Sequence, residues 1–141
     1  MNVARVFLIA LALGACCSCA EPNGRRVDPA TVVVMPKPWP TPAVAAPNAP
    51  PKIVALWMNE TNVPNGIDWY GRAVTSTNVA SLEIRTESFS FVAERTRFGD
   101  FRFRQHVLDM VPYYKREYLL RVIARNTAGD RDEWDVPISF R

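Results

Sequence analysis

Val79-Ala80-Ser81-Leu82-Glu83-Ile84-Arg85-Thr86 alternates apolar and polar side chains with a period of two. Ala80, Leu82 and Ile84 fall on one face, and Ser81, Glu83 and Arg85 on the other, as in a strand buried on one side. Working outward, Ser88–Arg95 repeats the pattern with Phe89, Phe91 and Ala93 inward, and Phe101 and Phe103 alternate with Arg102 and Arg104. Trp134, Val136, Ile138 and Phe140 alternate with Asp135, Pro137 and Ser139. Between such runs stand turn signals: Asn65-Gly66, Ser76-Thr77-Asn78 and Phe98-Gly99-Asp100.

From Lys52 onward no stretch sustains a helical period, and the runs predict seven strands: 53–58, 67–75, 79–86, 88–95, 101–107, 117–126 and 133–141. The expected fold is all-β, a seven-stranded antiparallel sandwich over residues 52–141. Within Ile67–Thr75, Trp69 competes with Tyr70 and Val74 for the interior, and the Trp69 face is taken as buried. Pro137 cannot donate to a ladder, so the final strand is expected at an edge, at least there.

Tyr118, Leu120, Val122, Ala124, Asn126 and Gly129 reproduce a Tyr-x-Leu-x-Val-x-Ala-x-Asn-x-x-Gly run. It resembles the sixth strand of fibronectin type III domains. Gly71–Ile84 is similar to the second and third strands of bacterial immunoglobulin-like domains. These resemblances, over about half the domain, imply an immunoglobulin-like sandwich and assign no activity. The intersheet cysteine pair of antibody domains is missing.

All three cysteines lie within residues 16–19, so no disulfide framework or cysteine-ligated zinc site is expected in the folded part. Before them, Val6–Ala15 is a run of small and apolar residues behind Arg5. Ten residues are too few to cross a hydrocarbon core, which needs about 20, and residues 1–15 read as a signal peptide. Leu13-Gly14-Ala15-Cys16 resembles a bacterial lipobox, which implies lipidation of Cys16 and a membrane partner reached through that lipid. Cleavage after Ala20, giving a secreted soluble protein, is the alternative. Cys17, not an aspartate, follows Cys16, which leans toward the outer membrane, or its periplasmic face, in a two-membrane cell. In a single-membrane cell the site would be the cell surface.

Residues 16–51 read as the anchor cysteine and a disordered, proline-rich linker: nine of the twelve prolines fall between Pro22 and Pro51. Proline removes a donor and favours polyproline II at ~3.1 Å per residue, so about thirty residues could span roughly 90 Å. Val32–Val34 reads as a short isolated strand. Trp39 is either a docking element for an aromatic groove or lies back on the domain or lipid interface, and the second is preferred.

The site candidates are sparse. His106 is the sole histidine and has no acidic neighbour in sequence to orient it, so an enzyme is not expected and no cofactor is invoked. Arg95, Arg97, Arg102 and Arg104 on one hairpin could bind a glycan or other polyanion, since guanidinium forks suit carboxylate and phosphate. Tyr113 and Tyr114 cannot both face inward, which makes them a possible protein contact. Asp130, Asp132, Glu133 and Asp135 are a weak calcium candidate without EF-hand spacing. Residues 52–141 hold 13 basic and 12 acidic residues, a difference of +1 that gives no case for nucleic acid. The expected role is a non-catalytic recognition or structural module in the cell envelope with a protein or glycan partner. Pairing of an edge strand with a partner's strand is a weaker alternative.

Overall fold

The structure, a computed structural model, describes residues 24–108 and 115–141. The described residues form two packed sheets and one short helix. In chain order they are β1 (Arg25–Arg26), α1 (Pro29–Val32), β2 (Ile53–Met58), β3 (Asn62–Val63), β4 (Asp68–Thr75), β5 (Ser81–Arg85), β6 (Ser90–Val92), β7 (Glu94–Arg97), β8 (Asp100–His106), β9 (Glu117–Arg125) and β10 (Arg131–Phe140). The first sheet runs β1-β10-β9-β5-β6, with β3 also on β10; the second runs β2-β4-β8-β7.

The alternation read from the sequence sets the core. Leu82, Ile84, Phe101, Phe103, Val136, Ile138 and Phe140 are all buried. Trp69 is 1% exposed. Its ring meets Phe103 at 5.1 Å in its own sheet, and Phe91 at 6.4 Å and Phe140 at 6.0 Å in the facing sheet. Its indole N–H donates to the Glu60 carbonyl at 3.0 Å. Tyr70 faces out, as expected, but Val74 is buried as well as Ala73.

Ten strands are described, not seven, and the reasons are local. Ser88–Arg95 divides at buried Ala93: β6 pairs with β5 in the first sheet, while β7 pairs with β8 in the second. A chain crossing between sheets keeps its inward residues inward, so alternation cannot reveal the crossing. The other two additions are β1 and β3. Both pair parallel to β10, so the ladders are not wholly antiparallel. They flank Pro137, which falls in the interval between Trp134–Asp135 and Ser139–Phe140 where β10 lacks a ladder partner on that side.

The larger correction concerns residues 24–51, which fold onto the sandwich and are not a disordered spacer. The Val27 N–H donates to the Asp135 carbonyl at 2.8 Å. Asp28 caps α1 by accepting from the Ala30 N–H at 2.8 Å, with Pro29 in the first turn where no donor is needed. Val32 therefore ends a helix, not an isolated strand, and is 2% exposed in the core. Ala43 bridges Ser76, and the Ala49 carbonyl accepts from the side-chain amides of Asn78 (2.6 Å) and Asn126 (3.0 Å). At Gly99 (φ +72°) a Cβ would come within 2.5 Å of Pro42, so the β7–β8 turn needs glycine both for its backbone and for this contact.

A docked segment contributes to stability where a spacer would not. Val32→Ala is expected to lower unfolding free energy by about 2 kcal/mol, read from urea denaturation; no change would mean the segment is loose.

Candidate functional site

The outer face of the second sheet carries the site, and register assembles it. Opposite Arg72 on β4 stand Trp57 on β2 and Arg102 on β8, and Glu94 on β7 stands opposite Arg102. In the next rows Tyr70 lies opposite Arg104, and Asp68 opposite His106. Trp39 and Met35 from the docked segment, Trp57, Tyr70, Arg72, Glu94, Arg102 and Arg104, together with Phe91 and Val92 of β6, line an open groove of about 820 Å³; Asp68 and His106 are not part of its lining. Trp39, Trp57 and Tyr70 form an edge-to-face row with centroid distances of 6.4 and 5.8 Å. Trp57 donates its indole N–H to the Val33 carbonyl at 3.2 Å. Gly71 faces inward between Tyr70 and Arg72, and a Cβ there would meet the Trp57 carbonyl and the buried Phe103 ring at 2.5 Å, so close packing beneath this face requires glycine.

The electrostatics centre on Asp100, which is 1% exposed. It accepts two bonds from Arg72, from Nε at 2.9 Å and Nη2 at 2.6 Å, and one from Arg97 at 3.1 Å. The Trp39 ring lies over the Arg72 guanidinium at 4.4 Å. Burial alone raises the Asp100 carboxyl, but the hydrogen bonds and charge of Arg72, then of Arg97, hold it below the ordinary aspartate value of 3.8. Asp68 is also held below its ordinary value, first by the hydrogen bond from Arg104 and then by that from His106.

Of the four hairpin arginines, the structure brings three to this face. Arg97 pairs with Asp100 and Arg104 with Asp68. Among the described residues Arg102 makes no ion pair. Arg95 belongs to the other side of β7, opposite Phe101, and stacks over Phe98 at 5.2 Å. Arg72, which local spacing did not single out, takes its place on the face. Glu83, on the other sheet, pairs with Arg125 and Arg85. His106 does have an acidic partner, Asp68 Oδ1 at 3.0 Å from Nδ1, contributed by a strand 38 residues earlier. Among the described residues no hydroxyl or thiol bonds its Nε2.

The calcium candidates do not converge. Asp132 accepts from the Ile53 N–H at 2.7 Å, Asp130 bonds Asn126, Glu133 pairs with Arg131, and Asp135 takes both forks of Arg121. Among the described residues no three His, Cys, Asp or Glu side chains are placed to hold a metal ion. Cys16, Tyr113 and Tyr114 lie outside the described residues. No family model matches the chain, and no curated protein is significantly similar to it.

The Arg72–Asp100 pair gives a pH-dependent expectation. A carboxyl depressed in the folded state contributes stability that is complete above its unfolded value, 3.8, and is lost as pH falls through the lower native value. Asp100→Asn leaves the mostly buried Arg72 without its counter-charge and should cost about 3–5 kcal/mol at pH 7. In urea titrations the gap to wild type should narrow as the pH is taken below 3.8. A gap that stays constant with pH would contradict this role for the pair.

Proposed function

We propose that the chain is an exported, lipid-anchored cell-envelope protein carrying one non-catalytic, immunoglobulin-like recognition module. The observation that carries recognition is the contrast between the two outer faces. On the first sheet Arg85, Arg121, Arg125 and Arg131 all pair with Glu83, Glu133 or Asp135. On the second, aromatic rings and Arg102, which has no ion pair among the described residues, line an open groove. A face built only for solubility has no need of such a groove.

The immunoglobulin-like reading is supported by strand order. Taking β2 and β4 through β10 as A, B, C, C′, D, E, F and G gives A-B-E-D facing G-F-C-C′. The residues of the fibronectin-like run also have physical roles consistent with it. Tyr118, Leu120, Val122 and Ala124 are buried, the Asn126 side chain accepts from the Asp130 N–H at 2.9 Å, and Gly129 has φ +91°.

Docking of residues 24–51 changes what anchoring at Cys16 would mean. Only seven residues, Cys17–Asn23, separate the anchor from Gly24. At 3.3–3.6 Å per residue the module is held within about 30 Å of the bilayer, not roughly 90 Å away. Lipid on Cys16 is the part to test first. Cells fed radioactive palmitate should label the wild-type protein, and Cys16→Ser should be unlabelled and leave the membrane fraction. Label persisting in Cys16→Ser, or an unlabelled wild-type protein recovered in soluble form, would overturn anchoring and favour simple secretion.

A further inference from the structure

We infer that the groove on the second sheet binds an acidic glycan, a chain of sugar rings bearing carboxylates, with Trp39 of the docked segment as one wall. This rests on the recognition reading above and supplies its ligand chemistry. The groove is lined by three cations, Arg72, Arg102 and Arg104, against one carboxylate, Glu94. Arg72 is committed to Asp100 and Arg104 to Asp68. Arg102 is uncommitted among the described residues, and a guanidinium fork takes a carboxylate through two parallel bonds. Glu94 lies opposite it in the ladder and makes no ion pair among the described residues, which leaves an acceptor for sugar hydroxyls, and the Gln105 amide supplies both a donor and an acceptor.

The aromatic row supplies the other half of the chemistry. Sugar rings present apolar C–H faces, and Trp39, Trp57 and the 44%-exposed Tyr70 offer rigid apolar surface with polar edges. Arg102 and Arg104 are two residues apart on one strand, so their Cα positions repeat at roughly 6.7 Å along the groove. Tyr70 stands opposite Arg104 in the same ladder, which sets an aromatic surface beside a cation.

Other partners fit less well. An added peptide strand needs a long, regular edge, but on the groove side β7 is a short, bulged Glu-Arg-Thr-Arg segment exposed throughout, the pattern that blunts edges, and beyond it β8 has only Phe103–His106 without a ladder partner on that side among the described residues. A nucleic acid backbone needs a track of cations, whereas among the described residues only Arg102 of the groove's cations is uncommitted.

The test is affinity electrophoresis of the full-length protein in detergent, through gels carrying a polyuronate, neutral dextran or poly-glutamate. The polyuronate alone should retard the protein. Arg102→Gln, an exposed change, should weaken retardation about tenfold, and Trp39→Ala should weaken it comparably. Arg131→Gln on the opposite sheet should leave it unchanged. No retardation by the polyuronate, equal retardation by poly-glutamate, or an undiminished effect in Arg102→Gln would each overturn the proposal. Retardation of an unlipidated protein would uphold the glycan site and remove only the anchoring; lipidation without retardation would do the reverse.

Discussion

The burial of Trp69 is the constraint on which the rest of the molecule depends. Its ring comes from β4 in the second sheet and packs against Phe91 and Phe140 of the first, so it helps join the two layers. Side chains on a strand alternate strictly, so fixing Trp69 inward fixes Asp68, Tyr70 and Arg72 outward. A slip of one residue would bury Arg72 and Asp68 and expose the indole, exchanging core for site. The groove is thus the reverse side of the core.

The outward arginines set a second problem, which Asp100 solves. Arg72 and Arg102 stand directly opposite in the β4–β8 ladder, a like-charge arrangement that destabilises a sheet. Asp100 holds Arg72 by both of its forks and takes Arg97 as well, and Trp39 covers the guanidinium from the solvent side. One buried carboxylate thereby ties β4 to the β7–β8 turn and gives the docked segment a place to rest. It also leaves Arg102 as the groove cation with no ion-pair partner among the described residues.

The proline-rich segment shows how composition can mislead. Proline depletes backbone donors, which favours an extended and solvated chain when nothing else binds it. Here Val27, Val32, Trp39 and Pro42 find apolar partners, and the Ala49 carbonyl finds Asn78 and Asn126. Nothing local marks those asparagines as docking groups, because their partner lies 29 and 77 residues away.

What the amino-acid order determined alone is where the long strands between Ile53 and Phe140 lie and, for most of their residues, which face turns inward, because period-two alternation is a local property of each strand; Ala80, read as inward, is exposed, and Val79 beside it is buried. His106 and Arg95 show its limit. Sequence spacing could not supply Asp68 to the histidine or move the arginine off the face, since both depend on which strand lies alongside and in what register. The division at Ala93, the entry of Arg72 into the groove and the seating of residues 24–51 were likewise decided by the tertiary structure. Each is a contact between segments distant in sequence, and only the packed fold brings their side chains within reach.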